Sequence, residues 1–179
     1  MQIKTIEPIA VSLPMLKPVI MAGEEVRRAD NVLARIETDS GVIGWGEAAS
    51  APVMTGETLE SIVSAIHYLS SVLRGRDPED IAGALNAMNG RMYGNHGAKA
   101  AIEIALHDIT GRSTAKPVHA LLGGKKRSRM PLLGVIGGGD RDGDLRDAEK
   151  KKAAGVTAYK IKVGVDTVEN DAARTRDIC

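Results

Sequence analysis

The sequence predicts an α+β chain in two parts: an antiparallel meander with a helical bundle, then the first two βα units of a parallel sheet. Three observations carry this reading. Alternating runs flank turn signals between Ile3 and Ala48, the mark of half-buried strands. Apolar residues then recur at helical spacing from Leu59 to Arg112. Near Met130 the pattern changes to strand–helix–strand–helix, which is how a parallel sheet with crossover helices reads.

Each element has its own reason. Ile3 to Leu13 is rich in β-branched residues and stops at Pro14, which predicts a strand. Lys17 to Arg28 has no period and holds Pro18 and Gly23, which predicts a loop. In the run Asn31 to Thr38, Val32, Ala34 and Ile36 share one face. Asp39-Ser40-Gly41 is a turn, and Val42 to Ala48 is the returning strand. Within it, Gly44-Trp45-Gly46-Glu47 reads as a strand under close packing rather than a site.

Leu59, Ile62, Val63, Ile66, Leu69 and Leu73 place one face of a first long helix. Asp77-Pro78 is expected to open a second, because Asp accepts from free backbone amides and Pro loses nothing in a first turn. Ile81, Ala84, Leu85 and Met88 line that helix, and Asn89-Gly90 is expected to stop it. A third helix runs from Ala98 to Arg112, with Ala101, Ile102, Ala105, Leu106 and Ile109 inward. Pro117 begins a short fourth, ended by Gly123-Gly124. Met88 and Met92 read as core filler.

Beyond the basic stretch Lys125 to Arg129, Pro131 to Ile136 is a strand leading into Gly137-Gly138-Gly139-Asp140. Leu145 to Ala154 is a charged helix, Ala158 to Val163 a strand, and Asp166 to Cys179 a further helix. The expected domains are therefore 1–128 and 129–179. Two βα units cannot close a sheet, and a β/α barrel takes about 200 residues or more.

Composition narrows the function. Hydrophobic residues are 43% and charged residues 26% of 179, an ordinary globular mix. Lys+Arg number 24 against 23 Asp+Glu, a net charge of +1, which argues against nucleic-acid or anionic-membrane partners. Aromatics are 2% with no Phe, so base-stacking platforms are not expected. A single cysteine, Cys179, forbids an internal disulfide and fits a reducing, cytoplasmic setting. The first residues lack the apolar core of a signal peptide, and no run approaches a membrane span.

The chemistry points to Tyr159-Lys160-Ile161-Lys162-Val163. Alternation puts Lys160 and Lys162 on one face of a strand. Two lysines on a covered sheet face are costly unless that face lines a site. Neighbouring ammonium groups repel, which favours a usable base. From the strand alone, two solvated lysines on an exposed strand fit equally well.

Other candidates are weaker. The Gly137–Gly139 run lacks the spacing of nucleotide-binding loops and reads as a flexible strand-to-helix turn. His107 and Asp108 are helix neighbours that face different directions, and His67, His96 and His119 lack metal-ligand spacing. Lys125-Lys126-Arg127 and Lys150-Lys151-Lys152 read as solvated faces.

One stretch is far more specific. Ala98 to Gly123 reads AKAAIEIALHDITGRSTAKPVHALLG. It resembles the signature of the mandelate racemase/muconate lactonizing enzyme family, within the enolase superfamily. Small residues stand at Ala98, Ala100 and Ala101, followed by Ile102-Glu103, Ala105-Leu106, Asp108, Gly111-Arg112, Pro117-Val118 and Leu121-Leu122-Gly123. Every slot of the pattern is filled; His107 stands where many members carry Trp.

The resemblance covers the whole chain and implies an N-terminal capping domain followed by the start of a β/α barrel near Met130. It places Lys160 and Lys162 at the family's Lys-x-Lys motif. There Lys162 is expected to remove a proton α to a carboxylate, and Lys160 to touch the carboxylate. It makes the segments Lys17–Arg28 and Ser50–Gly56 the specificity loops, with Ile20, Met21, Val53 and Met54 as substrate-binding residues. It implies Mg²⁺ on three acidic ligands of later barrel strands, beyond residue 179, with the second acid/base group there too. The metal suits the reaction, because an enolate dianion needs strong electrostatic stabilisation.

The expected protein is thus the N-terminal half of an isomerase, inactive as 179 residues alone, with a small carboxylate substrate and a homo-oligomeric assembly. The small residues leading into Asp140 and the lysine pair resemble the muconate cycloisomerase branch. Racemases, dipeptide epimerases and sugar-acid dehydratases share the superfamily, and a non-catalytic capping or oligomerisation fragment is the rival from another class.

Overall fold

The computed structural model describes residues 1–21, 24–137, 140–164 and 166–179, with Met21 described by its backbone alone. The chain forms two compact units, Met1–Lys125 and Lys126–Cys179.

The first unit opens with β1 (Ile3–Met21), β2 (Glu24–Thr38) and β3 (Ile43–Ala49), an antiparallel sheet in the order β1-β2-β3. Four helical segments follow: α1 (Pro52–Thr55), α2 (Leu59–Leu73), α3 (Ile81–Arg91) and α4 (His96–Ser113). A single turn, α5 (Val118–Leu121), closes the unit.

Within the expected loop Lys17–Arg28, the described residues Lys17–Met21 and Glu24–Arg28 are instead strand, part of a long β-ribbon. β1 continues past Pro14, with a register shift between Pro14 and Val19, to a last pair at Met21 and Glu24. Pro14 does not end β1, because β1 is an edge strand, where a residue without an N–H forfeits no ladder bond. Arg28 locks the ribbon across the strands, donating from Nε to Ser12 Oγ at 2.7 Å and from a terminal nitrogen to the Ser12 carbonyl at 2.8 Å. Ala22 and Gly23 lie outside the described residues.

Period-2 burial is as expected in β2: Val32, Ala34 and Ile36 are fully buried, with Ile3 and Ile6 of β1 beside them. The helices close the core from the other side with Ile62, Ile66, Leu69, Met88, Ile102, Leu106 and Ile109. α2 begins on a capping box: Thr58 Oγ1 accepts from Ser61 N, and Ser61 Oγ accepts from Thr58 N. α3 corrects two expectations. Its N-cap is Asp80, accepting from Gly83 N, rather than Asp77, and it runs through Asn89-Gly90 to Arg91. Asp80 sits directly before the apolar face, where the free amides are.

Glycine and alanine explain how α4 meets the sheet. A Cβ at Gly44 or Gly46 would fall 2.3 Å from the Ala105 carbonyl or 1.8 Å from the Ala101 carbonyl. The helix backbone therefore rests directly on β3, and small residues at 98, 101 and 105 permit it. The edge of β3 is closed by Asp108, whose carboxylate accepts from Trp45 N at 3.0 Å and pairs with Arg112. His107 turns elsewhere, to the Glu103 carbonyl, so the two are not a dyad.

The second unit is β4 (Leu133–Ile136), α6 (Arg141–Ala153), β5 (Ala158–Ile161) and α7 (Val168–Ile178). β4 and β5 are parallel, in register Leu133↔Ala158 to Ile136↔Ile161. α6 starts four residues before the expected Leu145, because Asp140 caps it by accepting from Gly143 N at 3.0 Å. β5 ends at Ile161 rather than Val163.

Candidate active site

The face of the β4–β5 pair is set by parity. Leu133, Val135 and then Gly137 lie on one side of β4, with Gly134 and Ile136 buried on the other. In the parallel register Val135 stands beside Lys160. Lys162 follows two residues on, just past the end of β5, and its N–H continues the ladder to the Ile136 carbonyl at 2.8 Å. Lys160 and Lys162 therefore share the face that carries Leu133, Val135 and Gly137. Lys160 is exposed and Lys162 half-buried.

Lys162 is gripped on two sides. Its stem lies across Gly137, where an added Cβ would come within 2.7 Å of its Cβ, Cγ and Cδ. Its carbonyl accepts from Arg174. Arg174 is 3% exposed and is ion-paired to Asp144 of α6 and, at 2.9 Å, to Asp171 of α7. Asp171 also accepts from Gly164 N. One buried guanidinium thus ties both helices to the segment Lys162–Gly164. A planar fork of five donors suits this bridging, and buried carboxylates are tolerable only when so paired.

Sequence reasoning missed Gly137, Arg174, Asp144 and Asp171. Arg174, Asp144 and Asp171 carry no motif or spacing that marks them, and Gly137 read as part of a turn; Gly138 and Gly139 lie outside the described residues. Lys151 was placed on a solvated face, yet its Nζ donates to the Val135 carbonyl at 2.8 Å and pairs with Asp147.

The four candidate substrate residues all belong to the first unit. Ile20 is 55% exposed near the end of the β1–β2 ribbon, and Met21 ends β1, its side chain outside the described residues. Val53 and Met54 are exposed on α1, so the segment Ser50–Gly56 is a helical turn rather than open loop. It is stapled at its base: Ala51 N donates to the Glu57 carbonyl at 3.2 Å, and both Glu57 carboxylate oxygens accept from Gly97 N at 3.1 Å at the start of α4.

Among the described residues, no group of three or more His, Cys, Asp or Glu side chains is placed to hold a metal ion. The described residues therefore do not fit a Mg²⁺ centre. Among them, too, no helix is long and apolar enough to cross a membrane.

Residues 5–123 match the family described as mandelate racemase / muconate lactonizing enzyme, N-terminal domain. The chain belongs to this family. It is 35% identical, over 99% of its length and 49% of the relative's, to an L-Ala-D/L-Glu epimerase of Bacillus subtilis. It is 31% identical to muconate cycloisomerase 1 of Acinetobacter baylyi, over 94% of this chain and 47% of that one. A solved dipeptide epimerase from Cytophaga hutchinsonii, complexed with Mg and the dipeptide D-Ala-L-Val, superposes with a TM-score of 0.91 at 30% identity. It covers 99% of this chain and 48% of that one. The chain thus spans about half the length of the relatives it matches. Its first unit is the enolase-superfamily capping domain, and its relatives are epimerases, racemases and cycloisomerases.

Proposed function

We propose that the chain is the N-terminal half of an enolase-superfamily isomerase that removes a proton from the carbon α to a carboxylate. The observation that carries this is the shared face of Lys160 and Lys162 at the C-terminal end of β5. That end of the strands is where barrel active sites form. In this reading Lys162 takes the α-proton, and Lys160, one pleat deeper, holds the substrate carboxylate with its charge. Domain 1–128 is the cap and 129–179 the first two units of the barrel.

Ile20, Met21, Val53 and Met54 contact the substrate in the same reading, from the ribbon end and α1. Mg²⁺ enters through the relatives alone, one of which is complexed with Mg, and its ligands are assigned to residues outside this chain. The protein is assigned as a cytoplasmic homo-oligomer.

Two finer readings divide the reaction. The cycloisomerase reading follows the small residues leading into Asp140. The dipeptide-epimerase reading is favoured by the higher identity to the B. subtilis enzyme. Incubating the full-length protein in D₂O with Ala-Glu dipeptides, and separately with muconate and its lactone, tests both. Deuterium at the α-carbon of a dipeptide supports epimerisation, and lactone formation with exchange supports cycloisomerisation. No exchange into any carboxylate of a broad panel overturns the proposal.

A further inference from the structure

We propose that Gly137 is a positioning residue for Lys162: its bare α-carbon lets the lysine stem lie across the end of β4. This rests on the reading of Lys162 as the general base. Along the shared face, the first two cross-strand pairs are Leu133–Ala158 and Val135–Lys160. By the same parity the next pair is Gly137–Lys162, joined by the ladder bond from Lys162 N to the Ile136 carbonyl. Lys160, beside a valine, is exposed, whereas Lys162, beside a glycine, is half-buried.

The contact is with the stem rather than the tip. An added Cβ would stand 2.7 Å from Lys162 Cβ, Cγ and Cδ alike. A flexible far end could swing aside, but Cβ is fixed to a backbone that Arg174 holds through the Lys162 carbonyl. A methyl group at 137 must therefore turn the whole side chain onto another path, and the amine with it. The opposite face of β4 gives an internal control. A Cβ at Gly134 would crowd Val156 at 3.0 Å, Tyr159 at 3.1 Å and Lys151 at 3.2 Å, so its three nearest atoms all belong to residues other than Lys162.

The test compares Gly137→Ala, Gly134→Ala and Lys162→Ala in the full-length enzyme, by α-proton exchange across pH. A misplaced base costs on the order of 10²-fold in rate. Gly137→Ala should lower kcat on that scale, hold KM within about twofold and displace the pH–rate midpoint. Gly134→Ala should lower stability and keep the parent midpoint.

If Lys162→Ala still exchanges, the base reading itself falls. If Lys162→Ala is dead while Gly137→Ala keeps the parent rate and midpoint, the positioning role alone is overturned. Should Gly137→Ala fail to fold, nuclear Overhauser contacts in the unsubstituted 179-residue chain decide. Contacts between the Gly137 α-protons and the Lys162 methylenes support the proposal, and their absence overturns it.

Discussion

Gly46 of β3 lies so close to the Ala101 carbonyl of α4 that a methyl group there would stand 1.8 Å from the oxygen. The obstacle is helix backbone, itself fixed by Ile102, Leu106 and Ile109 in the core. Overpacking costs about 1–3 kcal/mol where neighbours can shift. Gly46→Ala should therefore cost about 3 kcal/mol or more. Gly90, within α3 with open space for 4 Å around where a Cβ would stand, should gain about 0.4–1 kcal/mol on substitution by Ala. Urea unfolding followed by Trp45, the one tryptophan of the sequence, measures both. Equal midpoints for the two variants would contradict this account of the α4–β3 contact.

Arg174→Met should loosen the second unit selectively. It removes the buried guanidinium that pairs with Asp144 and Asp171, and breaking such a buried pair from one side costs about 3–5 kcal/mol. Amide hydrogen exchange should accelerate in β4, β5 and α7 while the Trp45 unfolding transition stays in place. Unchanged protection at residues 158–164 would show that the buried pairs do not hold this segment.

Glu57 substitutes for a missing cap. Asn95 makes no side-chain bond to the start of α4, and the Glu57 carboxylate accepts from Gly97 N instead. Glu57→Ala should cost about 1 kcal/mol and speed amide exchange at Gly97 and in α1 together. Glu57→Gln, which keeps an acceptor, should cost less. Faster exchange at Gly97 alone would show that α1, with Val53 and Met54, is held by other contacts.

Much of this was legible in the sequence, for physical reasons that can be named. The faces of β2, α2 and α4 were readable because one-sided burial imposes period 2 or 3.6. The close packing at Gly44-Trp45-Gly46 was readable because two glycines inside a strand have few other uses. The strand residues at Lys17–Met21 and Glu24–Arg28 were not, because an edge strand tolerates prolines that would break a central one. The grip on Lys162 was not, because a buried Arg174 and a solvated arginine look alike in one dimension. Gly137 was seen as a turn residue, since sequence shows the freedom of a glycine but not the side chain that needs its space. The lysine pair was visible through alternation, and the family signature at Ala98–Gly123 gave that pair a proposed chemistry.

The central claim is that Lys162 removes an α-proton, and substrate deuterium exchange in the full-length enzyme carrying Lys162→Ala tests it most directly, with circular dichroism as the control for folding. A general base contributes about 10²–10⁴-fold, so exchange should fall at least that far, and Lys160→Ala, which removes a charge one pleat deeper, should fall less. Exchange by a folded Lys162→Ala enzyme at the parent rate would contradict the account and leave the two lysines as structural residues, one in β5 and one just past its end.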